Sequence, residues 1–291
     1  MSKFRLDLAR RAGERIARES GADQFPIDPF EIAEKEGINV QPVKMGTSGC
    51  IVFNDDTPLI LYSTSISNIG FQRFTIAHEL GHYYLDGHAD EIMKLGGRHE
   101  SSSDFSKGDS SIEIEADHFA SGLLMPTKLS RTTIENAQVG LEGIIELAEK
   151  AQTSVTSAAI RAAECSPYPM AIVVSQGSEI CYGFMSANFK ALGKLAFPRK
   201  GDALPTSATR QFNQSKDSHS YSEPRCYETD LSVWFDGSAA VSLDEEILGL
   251  GSYGRTLTVL SSEQLPSDPD DYDEDEEDRG LGDEPKFAYG R

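Results

Sequence analysis

Phe74-Thr-Ile-Ala-His-Glu-Leu-Gly-His82 sets His78, Glu79 and His82 in the order H-E-x-x-H inside an apolar run compatible with a helix. Two histidines four residues apart lie one turn from each other on one helix face, so both imidazoles reach a single metal ion. Glu79 points to the same side. Zinc held by neutral imidazoles keeps an open coordination position for water and lowers the pKa of that water toward about 7, while an adjacent carboxylate takes the proton. The stretch therefore predicts a zinc hydrolase site with Glu79 as its base. Phe71, Phe74, Ile76, Ala77, Leu80 and Leu85 supply the apolar stripe that buries such a helix and turns its histidines into a cleft.

A catalytic zinc site normally has three protein ligands, so a third group is needed. His88 follows His82 by six residues, as in the longer HExxHxxGxxH pattern, but Leu85 stands where that pattern has glycine. Gly87 reads as a helix stop, which makes His88 a loop or capping histidine. The other source is the run from Ile112 to Pro126, a second helix with apolar residues at 112, 116, 119, 120, 123 and 124. Glu113 and Asp117 stand one turn apart there. One can bind the metal while the other accepts the spare N–H of a ligating histidine, fixing its tautomer. Glu113 is taken as the ligand and Asp117 as the partner; Glu115 lies roughly opposite on the helix and is expected to face solvent.

The two segments together resemble the ImmA/IrrE family of metallopeptidases. Arg73 through His82 follows its R-F-T-x-A-H-E-x-x-H helix, and Glu113 through Pro126 its E-x-x-A-[ND]-x-F-A-x-x-L-L-M-P helix. The resemblance implies Zn2+ bound by His78, His82 and Glu113, with Glu79 as general base. It also implies limited proteolysis of a helix-turn-helix transcriptional repressor. A non-catalytic module that sequesters a DNA-binding partner is the alternative.

With 291 residues the chain is too long for one core of common size. The expected class is α+β: a zincin-like metallopeptidase domain over 1–135, a helix-turn-helix-like hairpin over 136–165, a β-rich α+β domain over 166–265 and a disordered acidic tail over 266–291. Of the net charge of −20, −8 falls in that tail, where eleven acids and three bases follow from Asp268 onward. The remaining negative charge argues against DNA phosphates as a partner. No apolar run is long enough for a membrane span, no signal peptide is read at the start, and the four cysteines form no CxxC pair, so a cytoplasmic protein with buried, reduced thiols is expected.

Residues 4–18 read as a surface helix and Asp28-Pro29 opens another. Segments 38–43, 49–53 and 58–62 read as a small antiparallel sheet, and 87–110 as a long loop. Tyr83, Tyr84 or a residue of that loop is left as the oxyanion stabiliser. The helices 141–150 and 154–164 outline a helix-turn-helix, but Arg161 is the one base of the second, which disfavours direct DNA binding. Beyond Pro167, strands are expected at 170–174, 179–184, 231–235 and 255–260, joined in part by a polar connection over 189–220. Trp234, Phe235 and Tyr182 read as core, and a small-molecule ligand of this region is left open because no cofactor motif identifies one.

Overall fold

A computed structural model describes residues 3–53, 57–101, 111–193, 195, 198–215, 223–235, 241–251 and 254–263. The expected tail over 266–291 lies outside the described residues, as does 102–110. The chain adopts the α+β class. Its first part runs α1 (Lys3–Glu19), α2 (Pro29–Lys35), β1 (Asn39–Val43), β2 (Gly49–Val52), β3 (Leu59–Ser63), α3 (Ile69–Tyr84), α4 (His88–Lys94), β4 (Arg98–Ser101) and α5 (Ser111–Leu124). Asp28 caps α2 by accepting from the Phe30 N–H at 3.0 Å, and Pro29 fits the first turn, where its missing N–H costs nothing.

The first sheet has the order β1-β3-β2-β4. It is mixed rather than antiparallel: β1 runs parallel to β3, while β2 pairs antiparallel with both β3 and β4. The parallel pair arises because the chain between β1 and β3 is long enough to include β2 and return. The stretch read as one loop from 87 carries both α4 and the edge strand β4. Neither shows in the sequence, since α4 is one short polar turn pair and Arg98-His-Glu-Ser101 has no apolar alternation.

Helices α6 (Thr127–Glu135), α7 (Leu141–Ala151) and α8 (Val155–Cys165) follow. The α7–α8 pair is a tight hairpin, and Gln152 takes the left-handed conformation at φ 52° to end α7. Nine of the eleven α8 residues are buried. Arg161, 1% exposed, binds the Met125 carbonyl, Glu14, Thr127 and Glu164, so it locks α8 to the start of the chain rather than facing outward.

The last part is β5 (Met170–Gln176), β6 (Glu179–Met185), α9 (Ala187–Lys190), α10 (Ala208–Gln214), β7 (Arg225–Asp230), α11 (Leu231–Trp234), β8 (Ser242–Gly249) and β9 (Arg255–Ser261). Its antiparallel sheet has the order β6-β5-β9-β8-β7. One face, with Met170, Ile172, Val174, Leu257 and Val259, shares a continuous core with α8 and the metal helices. The other, with Ala171, Val173 and Leu260, packs on Phe189, Leu231, Trp234 and Phe235. Burial on both faces explains why β5 reads as an unbroken apolar run.

The structure departs from the sequence reading at several points here. Residues 231–234 are helical, with the Phe235 N–H bonded to the Leu231 carbonyl. The strand at 242–249 escapes notice because Glu245 occupies an inward position and breaks the apolar alternation. The connection from Phe189 contains α9 and α10 and buries Phe189, Leu192, Leu204 and Phe212. All four cysteines are free thiols, yet Cys226 is exposed, on an outer strand with an open face. Among the described residues, no helix is long and apolar enough to cross a membrane.

Candidate metal centre

Asn68 starts α3 by accepting from the Phe71 N–H at 3.0 Å, and the helix is buried almost throughout from Phe71 to His82. A Cβ on Gly81 would stand 3.0 Å from the Ala116 Cα, so glycine lets α3 and α5 approach this closely. That approach carries Glu113, less than one turn before Ala116, over the two histidines. His78 Nε2 lies 3.2 Å from His82 Nε2, His82 Nε2 3.1 Å from Glu113 Oε1, and His78 Nε2 3.5 Å from Glu113 Oε2. A tetrahedral ion with bonds of roughly 2.0–2.1 Å needs donor separations of about 3.3 Å. The observed separations, those to Glu113 made to its two oxygens, bracket that value, and one donor atom from each residue lies within 4.8 Å of the others.

The proton pattern agrees with a cation between them. Asp117 Oδ1 is 2.8 Å from His78 Nδ1; a carboxylate only accepts, so Nδ1 carries a hydrogen, and Nε2 faces His82 Nε2 and Glu113 Oε2. Burial disfavours a charged His78, yet Asp117 and Glu113 hold its pKa well above the ordinary value. Burial pushes His82 down to about 3. Despite its own burial, Glu113 is held far below the carboxylate range by His78, His82 and His99.

Glu79 sits beside it, fully buried. Its Oε1 accepts from the Ser101 hydroxyl at 2.5 Å, while Oε2 has no hydrogen-bond partner among the described residues. Burial pushes the carboxyl up to about 7, against the pull of His78 and Ser101.

Strand β4 supplies two residues that sequence reasoning missed. His99 and Ser101 are two apart and so share one face of the strand. The strand pairs with β2 in the register Ile51↔His99 and Gly49↔Ser101. His99 Nε2 lies 2.6 Å from Glu113 Oε1, with its ring 4.6 Å from that of His82. A histidine flanked by polar residues in a Gly- and Ser-rich stretch gave no signal of this.

Three other readings need correction. His88 is no loop residue: Leu85 is extended, Gly87 turns the chain at φ 86°, and His88 opens α4 buried against His82. The reversal glycine arrives two positions later than the long HExxH pattern has it. Glu115 is 4% exposed rather than solvent-facing, because α1 packs along α5 and covers that side. Tyr84, offered as an oxyanion stabiliser, stacks on Phe119 at 5.7 Å; two residues put it about 200° around the helix from His82, away from the cluster.

Two histidines and a glutamate converge from two helices as a group that could hold a metal ion, beside the Glu79 carboxylate, one oxygen of which has no partner among the described residues. Residues 33–163 match the IrrE N-terminal-like domain of the Peptidase_M78 family, so this part of the chain carries a domain of the ImmA/IrrE type of metallopeptidase. No curated protein sequence matches the chain. The fold is similar to that of a Mycobacterium tuberculosis transcriptional regulator, with a TM-score of 0.53 and 16% identity over 87% of this chain and 76% of that one.

Proposed function

We propose that this protein is a cytoplasmic zinc-dependent endopeptidase that makes limited cuts in a protein substrate, with a helix-turn-helix transcriptional repressor as the substrate class. The observation that supports the reading is the approach of His78 Nε2, His82 Nε2 and the Glu113 carboxylate to within 3.1–3.5 Å of one another, a spacing one zinc ion in a zincin-like site could bridge. A zinc ion in such a site supplies Lewis acidity toward a peptide carbonyl and lowers the pKa of water toward about 7.

The remaining chemistry belongs to the chain. Glu79 Oε2, buried and unpartnered, accepts the proton of the attacking water and later delivers it to the leaving amine. Ser101 holds Oε1, so the carboxylate presents one defined oxygen. Asp117 fixes the tautomer of His78. The substrate class rests on the family resemblance.

Zinc per chain, measured after desalting, is expected to be one in the wild type and near zero in Glu113→Ala. Co-expressed with repressors encoded beside its gene, the wild type is expected to remove one of them and Glu79→Gln to leave it intact. Equal levels of every such repressor with wild type and Glu79→Gln would replace catalysis by sequestration.

A further inference from the structure

The two histidines of the centre are held differently. His78 gives its Nδ1 hydrogen directly to a carboxylate, Asp117. His82 Nδ1 faces a second imidazole, His88 Nδ1, at 3.1 Å, and His88 Nε2 lies 3.4 Å from Glu115 Oε2. Glu115 is held in turn by Arg5 at 3.0 Å and by the Ser111 hydroxyl at 3.1 Å. His88 and Glu115 are 1% and 4% exposed, so bulk water does not replace these bonds.

We propose that His88 and Glu115 are positioning residues, a relay that fixes the ring orientation and proton placement of His82 for metal binding. The proposal rests on the metallopeptidase reading above. If Nε2 of His82 holds the ion, its hydrogen is on Nδ1, and among the described residues the group facing that hydrogen is His88 Nδ1, which must accept. The hydrogen of His88 is then on Nε2 and is donated to Glu115. Every donor along His82, His88 and Glu115 points away from the metal, and Arg5 closes the chain with a positive charge. His88 meets His82 on the nitrogen opposite the other ligands, so it cannot bind the same ion. A carboxylate thus supports both histidines, directly for His78 and through one intervening ring for His82. The turn at Leu85 to Gly87 is what brings that ring back.

The test is the zinc dissociation constant of the full chain, measured by competition with a chromophoric chelator. His88→Leu removes the acceptor and is expected to weaken binding by about 10–100-fold. His88→Asn places Oδ1 close to where Nδ1 stood and is expected to restore most of the affinity; Glu115→Gln, which keeps an acceptor without the charge, should fall between. His88→Leu binding as tightly as the wild type, or His88→Asn binding as weakly as His88→Leu, overturns the relay.

Because His88→Leu leaves a buried gap and can fail to fold, nitrogen-15 NMR of the zinc-loaded wild type gives a second reading. The expected tautomers are Nδ1–H for His82 and Nε2–H for His88; Nδ1–H on His88 overturns the proposal. A wild type that takes up no zinc after reconstitution sinks the metallopeptidase reading and the relay together, whereas normal zinc binding with an indifferent His88→Leu removes the relay alone.

Discussion

Glu79 and Glu245 are both buried glutamates, one beside the first sheet and one in the second. Glu245 Oε1 accepts from the Thr209 N–H at 2.6 Å and its hydroxyl at 2.7 Å, Oε2 faces the Trp234 Nε1–H at 3.4 Å, and Thr209 continues to Thr258. Both of its oxygens are occupied by groups of the framework. Glu79 has one oxygen held by Ser101 and the other without a partner among the described residues, facing a cluster of metal-ligating donors. A buried charge is costly unless its hydrogen bonds are made, so a closed network marks structure and an open one marks chemistry.

The comparison breaks most plainly at Glu113. Glu113→Ala removes a corner of the donor set, and loss of both bound zinc and peptide cleavage is expected; zinc retained at one per chain would displace Glu113 from the site. Glu79→Gln should keep the zinc and lower cleavage by about 10²–10⁴-fold, the usual contribution of a general base. A cleavage rate within a few-fold of wild type would take Glu79 out of the mechanism.

Glu245→Leu is the matching change in the second sheet. It orphans the Thr209 and Trp234 donors, and unfolding in denaturant should show a loss of about 2–4 kcal/mol with zinc content unchanged. A stability equal to wild type would mean that the network does not hold α10 and α11 to the sheet. Ser101→Ala frees the second oxygen of Glu79; a roughly tenfold lower turnover is expected, on the order of one charged hydrogen bond, without change in bound zinc. The smallest effect is reserved for Arg15→Ala, whose exposed pair with Glu19 should contribute less than about 0.5 kcal/mol by thermal melt.

Much of the candidate centre was legible before any coordinates. The spacing of His78 and His82 and of Glu113 and Asp117 is a property of one helix turn, and local periodicity survives whatever the rest of the chain does. The α7–α8 hairpin, the start of α2 and the strands β5, β6 and β9 were legible for the same reason. Each is bounded by a cap, a glycine turn or an apolar run that acts over a few residues.

What the sequence by itself determined is therefore the two helices α3 and α5 and the chemical class of the side chains they bring together. Only the tertiary structure decided which groups surround them. His99 and Ser101 reach the site because β4 pairs with β2, and His88 and Glu115 meet because a turn at Gly87 and the packing of α1 on α5 bury both. The parallel pairing of β1, the helix at 231–234 and the inward glutamate of β8 were settled in the same way. Burial and partners at these positions come from segments distant in the chain, and short polar stretches carry no periodic signal of contacts that far away.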